Sequence, residues 1–149
     1  MAAFRKIRIS LLLVPAAAAC TGRADPPTVR LEAHALSREA ARGESLAAVE
    51  SGEGAVEVRR TMRVSDPCRT LAAGLERAGE SLTLRVEARP DGRACRAAEA
   101  YVAYTARIEE LPPGRYDLRV VHEQRAGPGR PEILPEHPVL VMESSVEVP

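Results

Sequence analysis

The sequence predicts an all-β antiparallel sandwich of six to seven strands, and two observations predict it. Beyond Gly54, apolar residues recur at every second position in segments separated by turn signals, the spacing that gives a strand one face in a core and one in water. The chain is also 149 residues long and 45% apolar, room for one domain of ordinary size with enough apolar side chains to fill it.

Taken from the N-terminus, the first element is a leader. Residues 1–19 open with Arg5, Lys6 and Arg8, continue through an apolar run from Ile9 to Val14 and end in small residues at Ala19, the layout of a secretory signal helix. The run is too short to span a bilayer, which takes about 20 predominantly apolar residues. Cleavage after Ala19 leaves Cys20 first in the mature chain, and a free thiol is an odd residue to strand in an oxidising compartment. The segment Ala17-Ala18-Ala19-Cys20 resembles the lipobox of bacterial lipoproteins, although leucine is usual where Ala17 stands. The resemblance implies that Cys20 is lipidated and anchors the chain to a membrane; the plain alternative is secretion with an incidental cysteine. Several acyl chains exceed the two-signal threshold for stable anchoring. Thr21 in place of Asp after the cysteine implies, in a Gram-negative host, an outer-membrane lipoprotein facing the periplasm.

Residues 20–54 read as anchor and tether with weak structure. Thr21 to Pro27 has two prolines and no apolar period, as a flexible connection does. Thr28 to Ala35 alternates weakly like an exposed strand, whereas Leu36 to Glu50 is alanine-rich and interrupted by Gly43, so that it suits a short helix or a loop. The sandwich then occupies residues 55–149. Val56, Val58, Met62 and Val64 share one strand face, Leu71, Ala73 and Leu75 another. Leu82, Leu84, Val86 and Ala88 give the clearest alternation, with Thr83, Arg85 and Glu87 toward water, and Asp91-Gly92 supplies the turn after it. Val102, Tyr104, Ala106 and Ile108 follow, then Tyr116, Leu118 and Val120, and finally Leu140, Met142, Val146 and Val148.

The junction LPPGRYDLRV, Leu111 to Val120, resembles the corner of immunoglobulin-like and fibronectin type III sandwiches, where a leucine, a Pro-Gly turn and a tyrosine introduce the penultimate strand. The resemblance makes Tyr116 a structural corner residue, its hydroxyl returning to a backbone group a few residues upstream. Leu118 stands where antibody domains have their second cysteine, and the chain has no tryptophan, so the likeness extends to the sandwich and no further. Such sandwiches host unrelated functions.

With Cys20 set aside, Cys68 and Cys95 remain as an even pair in an exported chain, and a disulfide is expected between them. A hairpin centred near Gly79 places Cys68 opposite about Arg89, and the Asp91-Gly92 turn returns Cys95 toward the same end. A metal or redox role needs a CxxC spacing or nearby histidines, and the sequence has neither. His34, His122 and His137 are dispersed. His122 continues the inward row of Tyr116, Leu118 and Val120, which suits a histidine hydrogen-bonded at the core edge better than a ligand or general base. His122 and Glu123 are strand neighbours and point to opposite faces, a poor acid/base pair. Glu109 and Glu110 read as solvated charges. No GxSxG, SxxK or phosphate-loop motif occurs. No catalytic residues, metal or cofactor are therefore assigned.

Charge excludes one further class. Without residues 1–19 the chain holds 18 basic against 21 acidic side chains, and its aromatics reduce to Tyr101, Tyr104 and Tyr116; nucleic acid is no expected partner. The expectation is a lipid-anchored, non-enzymatic interaction module of the cell envelope, with a possible envelope protein partner and Glu123 to Pro138 as candidate contact region. The alternative is a small extracytoplasmic ligand-binding protein or hydrolase whose site is assembled from dispersed residues, which one sequence does not reveal.

Overall fold

The alternation from Leu82 to Ala88 becomes the middle of a long strand buried on one side, and the same pattern builds the rest of the molecule. In the computed structural model, which describes residues 26–43, 47–126 and 137–149, the elements in chain order are β1 (Thr28–Leu36), α1 (Arg38–Gly43), β2 (Ala48–Gly52), β3 (Ala55–Val64), β4 (Arg69–Ala78), β5 (Ser81–Pro90), β6 (Ala100–Glu109), β7 (Gly114–Gln124) and β8 (Val139–Val148). They form two four-stranded sheets, ordered β1-β6-β3-β2 and β4-β5-β7-β8. Val56, Val58, Leu82, Leu84, Val86, Ala106, Ile108, Leu118 and Val120 meet between them with almost no exposure. The protein is an all-β sandwich.

Three expectations are corrected. Eight strands are described rather than six or seven, because β1 and β2 lie in the stretch read as weakly structured tether and extend the sandwich upstream of residue 55. Both are edge strands with largely exposed side chains, only Val29, Leu31 and Val49 packing partly against the core, and a strand so thinly buried carries little alternation to read. The alanine-rich stretch divides between a six-residue helix, started by the Ser37 hydroxyl accepting from Ala40 N–H at 3.1 Å, and β2.

The second correction concerns direction. All neighbours are antiparallel except β5 and β7, which pair in parallel from Ser81↔Asp117 to Ala88↔Gln124. Between them the chain crosses to the other sheet as β6 and crosses back, reversing each time, so β7 returns in the direction of β5. The third concerns two side chains. A register shift between Val120 and Val121 makes Val141 an extra residue in β8, which turns Leu140 outward to 52% exposure. Glu87, expected in water, is buried beneath arginines.

The registers define two ends. Thr28, the β2–β3 turn, Gly79, the β6–β7 corner and Val148 gather at the near end, where the described chain begins; Leu36, the β3–β4 connection, the disulfide and the start of β8 gather at the far end. At the near end Tyr116 is 3% exposed and its hydroxyl donates to the Pro112 carbonyl at 2.8 Å. Glu110 takes a left-handed φ of 63°, after which Leu111 N–H donates to Gly54 C=O at 3.0 Å and ties the corner to the β2–β3 turn. That places Glu110 in the corner's backbone geometry, while Glu109 pairs with Arg30 and Arg107.

Candidate functional site

The far end is built on polar side chains that the alternation cannot announce. Asp66, in the connection from β3 to β4, accepts from Cys68 N–H at 3.0 Å and from Arg69 Nε at 3.0 Å, with both side chains of the ion pair only 2% exposed. Arg69 also donates to Ser65 Oγ at 2.8 Å and to the Arg125 carbonyl. Glu87 bonds Arg89 and pairs with Arg125. Burial pushes the Glu87 carboxyl up, but the two arginines outweigh it and hold it below the usual carboxylate range. Cys68 and Cys95 close a disulfide beside this cluster, Cα atoms 5.9 Å apart. Cys68 lies opposite Asp91, whose N–H it receives at 3.1 Å, slightly beyond the predicted register. The paired charges and the disulfide fix the sheet-to-sheet connection rather than expose a reactive group.

Beside it lies a cleft. β2 pairs with β3 only as far as Ala48↔Arg59, so among the described residues Arg60 to Val64 have a strand neighbour, β6, on one side alone. There the sheets part around a volume of about 240 Å³ lined by Met62, Arg63, His122, Glu123, Gln124, Val139 and Val141. Gln124 spans the two sheets, its Oε1 accepting from Ser65 N–H at 3.1 Å and its Nε2 donating to the Arg63 carbonyl at 3.4 Å.

His122 stands at the inner wall. Its Nε2 shares a 2.9 Å hydrogen bond with Tyr104 Oη, and the two rings meet edge to face at 5.6 Å. Desolvation first, and then the Arg60 guanidinium, bring its pKa down to about 4, so the imidazole is neutral at neutral pH. Burial pushes the Tyr104 phenol up, against the opposing effect of Arg60. The placement matches the core-edge histidine read from the sequence. A base that weak at neutral pH is poorly matched to general base catalysis, which favours a pKa near the working pH.

Arg60 was missed by the sequence reading. It occupies the inward position between Val58 and Met62, both buried, and is the register partner of Tyr104. Its Nε is buried without a hydrogen-bond partner, as is Thr61 Oγ1. Its neighbours Arg59 and Arg63 pair with Glu50, Glu57 and Glu99, whereas Arg60 joins no ion pair among the described residues. The signal was present: Val56, Val58, Met62 and Val64 form an every-second-residue row in which position 60 is an arginine.

The other candidates remain apart. His34, on β1, and His137, just before β8, are both exposed, and among the described residues no three His, Cys, Asp or Glu side chains converge as a metal site. Cys20 lies outside the described residues, as does Gly127 to Glu136 of the predicted contact region; Glu123 and Gln124 of that region border the cleft, as does Val139 just after it. No helix among the described residues is long and apolar enough to cross a membrane. No protein-family model matches the chain, and no curated protein or solved structure matches it significantly.

Proposed function

We propose that this protein is a lipid-anchored, non-enzymatic interaction module of the cell envelope, held to the membrane through Cys20 and presenting the far end of its sandwich to a partner protein. In a Gram-negative host, its place is the outer membrane facing the periplasm. The observation that carries the reading is the polarity of the fold: β1 begins at Thr28 beside Glu109, at the near end, and the cleft opens at the opposite end. A tether from Cys20 to Pro27 brings the near end to the bilayer and leaves the cleft facing away. The far end also carries Val139 and Leu140, 42% and 52% exposed, the exposed large apolar side chains of the described residues. These two adjacent side chains give that end apolar surface for a partner to cover. The weak basicity of His122 favours a binding role over hydrolysis.

Two measurements test this. Mass spectrometry of the mature N-terminus should find Cys20 first and acylated; an unmodified cysteine or another start rejects the anchor. A photo-crosslinking residue placed in living cells at Val139 or Leu140 should give a discrete protein adduct, and one at Glu147 near the opposite end should not. Adducts at both ends alike, or at neither, reject the far end as the presenting surface.

A further inference from the structure

We propose that the edge of β3 from Arg60 to Val64, which has no strand beside it other than β6 among the described residues, together with the cleft next to it, docks an extended segment of the partner protein by strand addition, Arg60 taking a carboxylate of that segment and the cleft taking an apolar side chain next to it. This deepens the reading of the protein as an interaction module and rests on it.

The edge supplies backbone groups. β2 stops at Ala48↔Arg59, and beyond it β3 continues with β6 on one side only among the described residues. An unpaired edge is a template for another strand, which natural sandwiches usually cover or blunt. Here the contact opposing it is a side chain: Gln124 donates to the Arg63 carbonyl at a long 3.4 Å.

The chemistry of the segment follows from Arg60. A guanidinium placed on the inward row of a strand, with its Nε buried and unbonded, leaves one donor that is costly to bury unmet. The groups it faces from β6 and β7, Tyr104 and His122, share their hydrogen bond with each other, and the nearby carboxylates Glu50, Glu57 and Glu99 are engaged by Arg59 and Arg63. A planar guanidinium in this state is matched by a carboxylate, which it binds through two parallel hydrogen bonds. The cleft sets the size. At about 240 Å³ it falls below the roughly 300–1,000 Å³ of small-molecule sites and suits a side chain delivered by a peptide. Met62, Val139 and Val141 make its wall apolar, and strand spacing puts alternate peptide side chains on the face that Arg60 and Met62 share.

Random heptapeptides displayed on phage, selected on the full mature protein, provide the test. Selected peptides should alternate apolar residues around an Asp or Glu. Titrating the strongest of them should shift the amide resonances of Arg60 to Val64, and changing its acid to the amide should weaken binding about tenfold or more, the loss of a charge-assisted contact. Because that change is made in the peptide, the result does not depend on how an Arg60 variant folds. Arg60→Gln should weaken binding similarly and Arg60→Lys less. Binding indifferent to the acid, shifts confined to the β4 edge, or no selected peptide at all overturns this site. Crosslinks from Val139 still decide the module reading independently.

Discussion

Acidification from pH 7 to pH 4.5 should destabilise the fold by about 2 kcal/mol through His122 alone. In the unfolded chain an imidazole titrates near 6.5, whereas in the fold desolvation and the Arg60 guanidinium bring His122 to about 4. Between those values the unfolded state binds the proton that the folded state refuses. Stability is therefore complete above about pH 6.5, falls as pH drops through the window, and has lost this contribution below about pH 4. Linkage over that range gives about 2 kcal/mol by pH 4.5, or roughly 1 M in the urea midpoint. Glu87 and Glu99 are held below the ordinary carboxylate value of 4.5, so their stabilising contributions withdraw at still lower pH and leave the window to His122. Urea melts at several pH values, on the parent and on His122→Gln, isolate the effect as the difference between two slopes. If both proteins lose the same stability between pH 6.5 and 4.5, or if the His122 resonance titrates near 6.5, the buried, Arg60-facing placement is wrong.

Three further outcomes follow from the geometry. Tyr116→Ala removes a buried ring at the near end and should cost about 3 kcal/mol, while Tyr116→Phe removes only the hydrogen bond to Pro112 and should cost about 1 kcal/mol in the same melts. Reducing Cys68–Cys95, which closes a loop with a sequence separation of 27, should lower stability by roughly 3 to 4 kcal/mol on the chain-entropy account, and non-reducing peptide mapping should recover the linked pair. Asp66→Ala leaves Arg69 buried beside an empty position and should cost about 3 to 5 kcal/mol; a variant that melts like the parent would show that the charged cluster at the far end is dispensable.

The sequence by itself determined the core. Every-second-residue burial at Val56–Val58, Leu82–Ala88, Tyr104–Ile108 and Tyr116–Val120 is a local property of a strand with one face in a core, and it shows wherever that condition holds. The Tyr116 corner and the Cys68–Cys95 disulfide were legible for a related reason: each rests on a short motif or on parity. Where burial comes from elsewhere, the pattern was silent. β1 and β2 lie at sheet edges and pack only Val29, Leu31 and Val49 partly against the core, so β1 showed a weak alternation and β2 none that was read. Glu87 is buried by Arg89 and Arg125, and Asp66 by Arg69, through partners set by the fold. The parallel β5–β7 pair comes from two changes of sheet, which no window along the chain contains. The candidate site depends on the tertiary structure in the same way. Arg60 interrupts an apolar row in the sequence, but only the early stop of β2, the crossing of Gln124 and the packing of β7 against β6 set that interruption one inward position before Met62, which lines an open cleft, because a gap between sheets is a relation among strands rather than a property of any one.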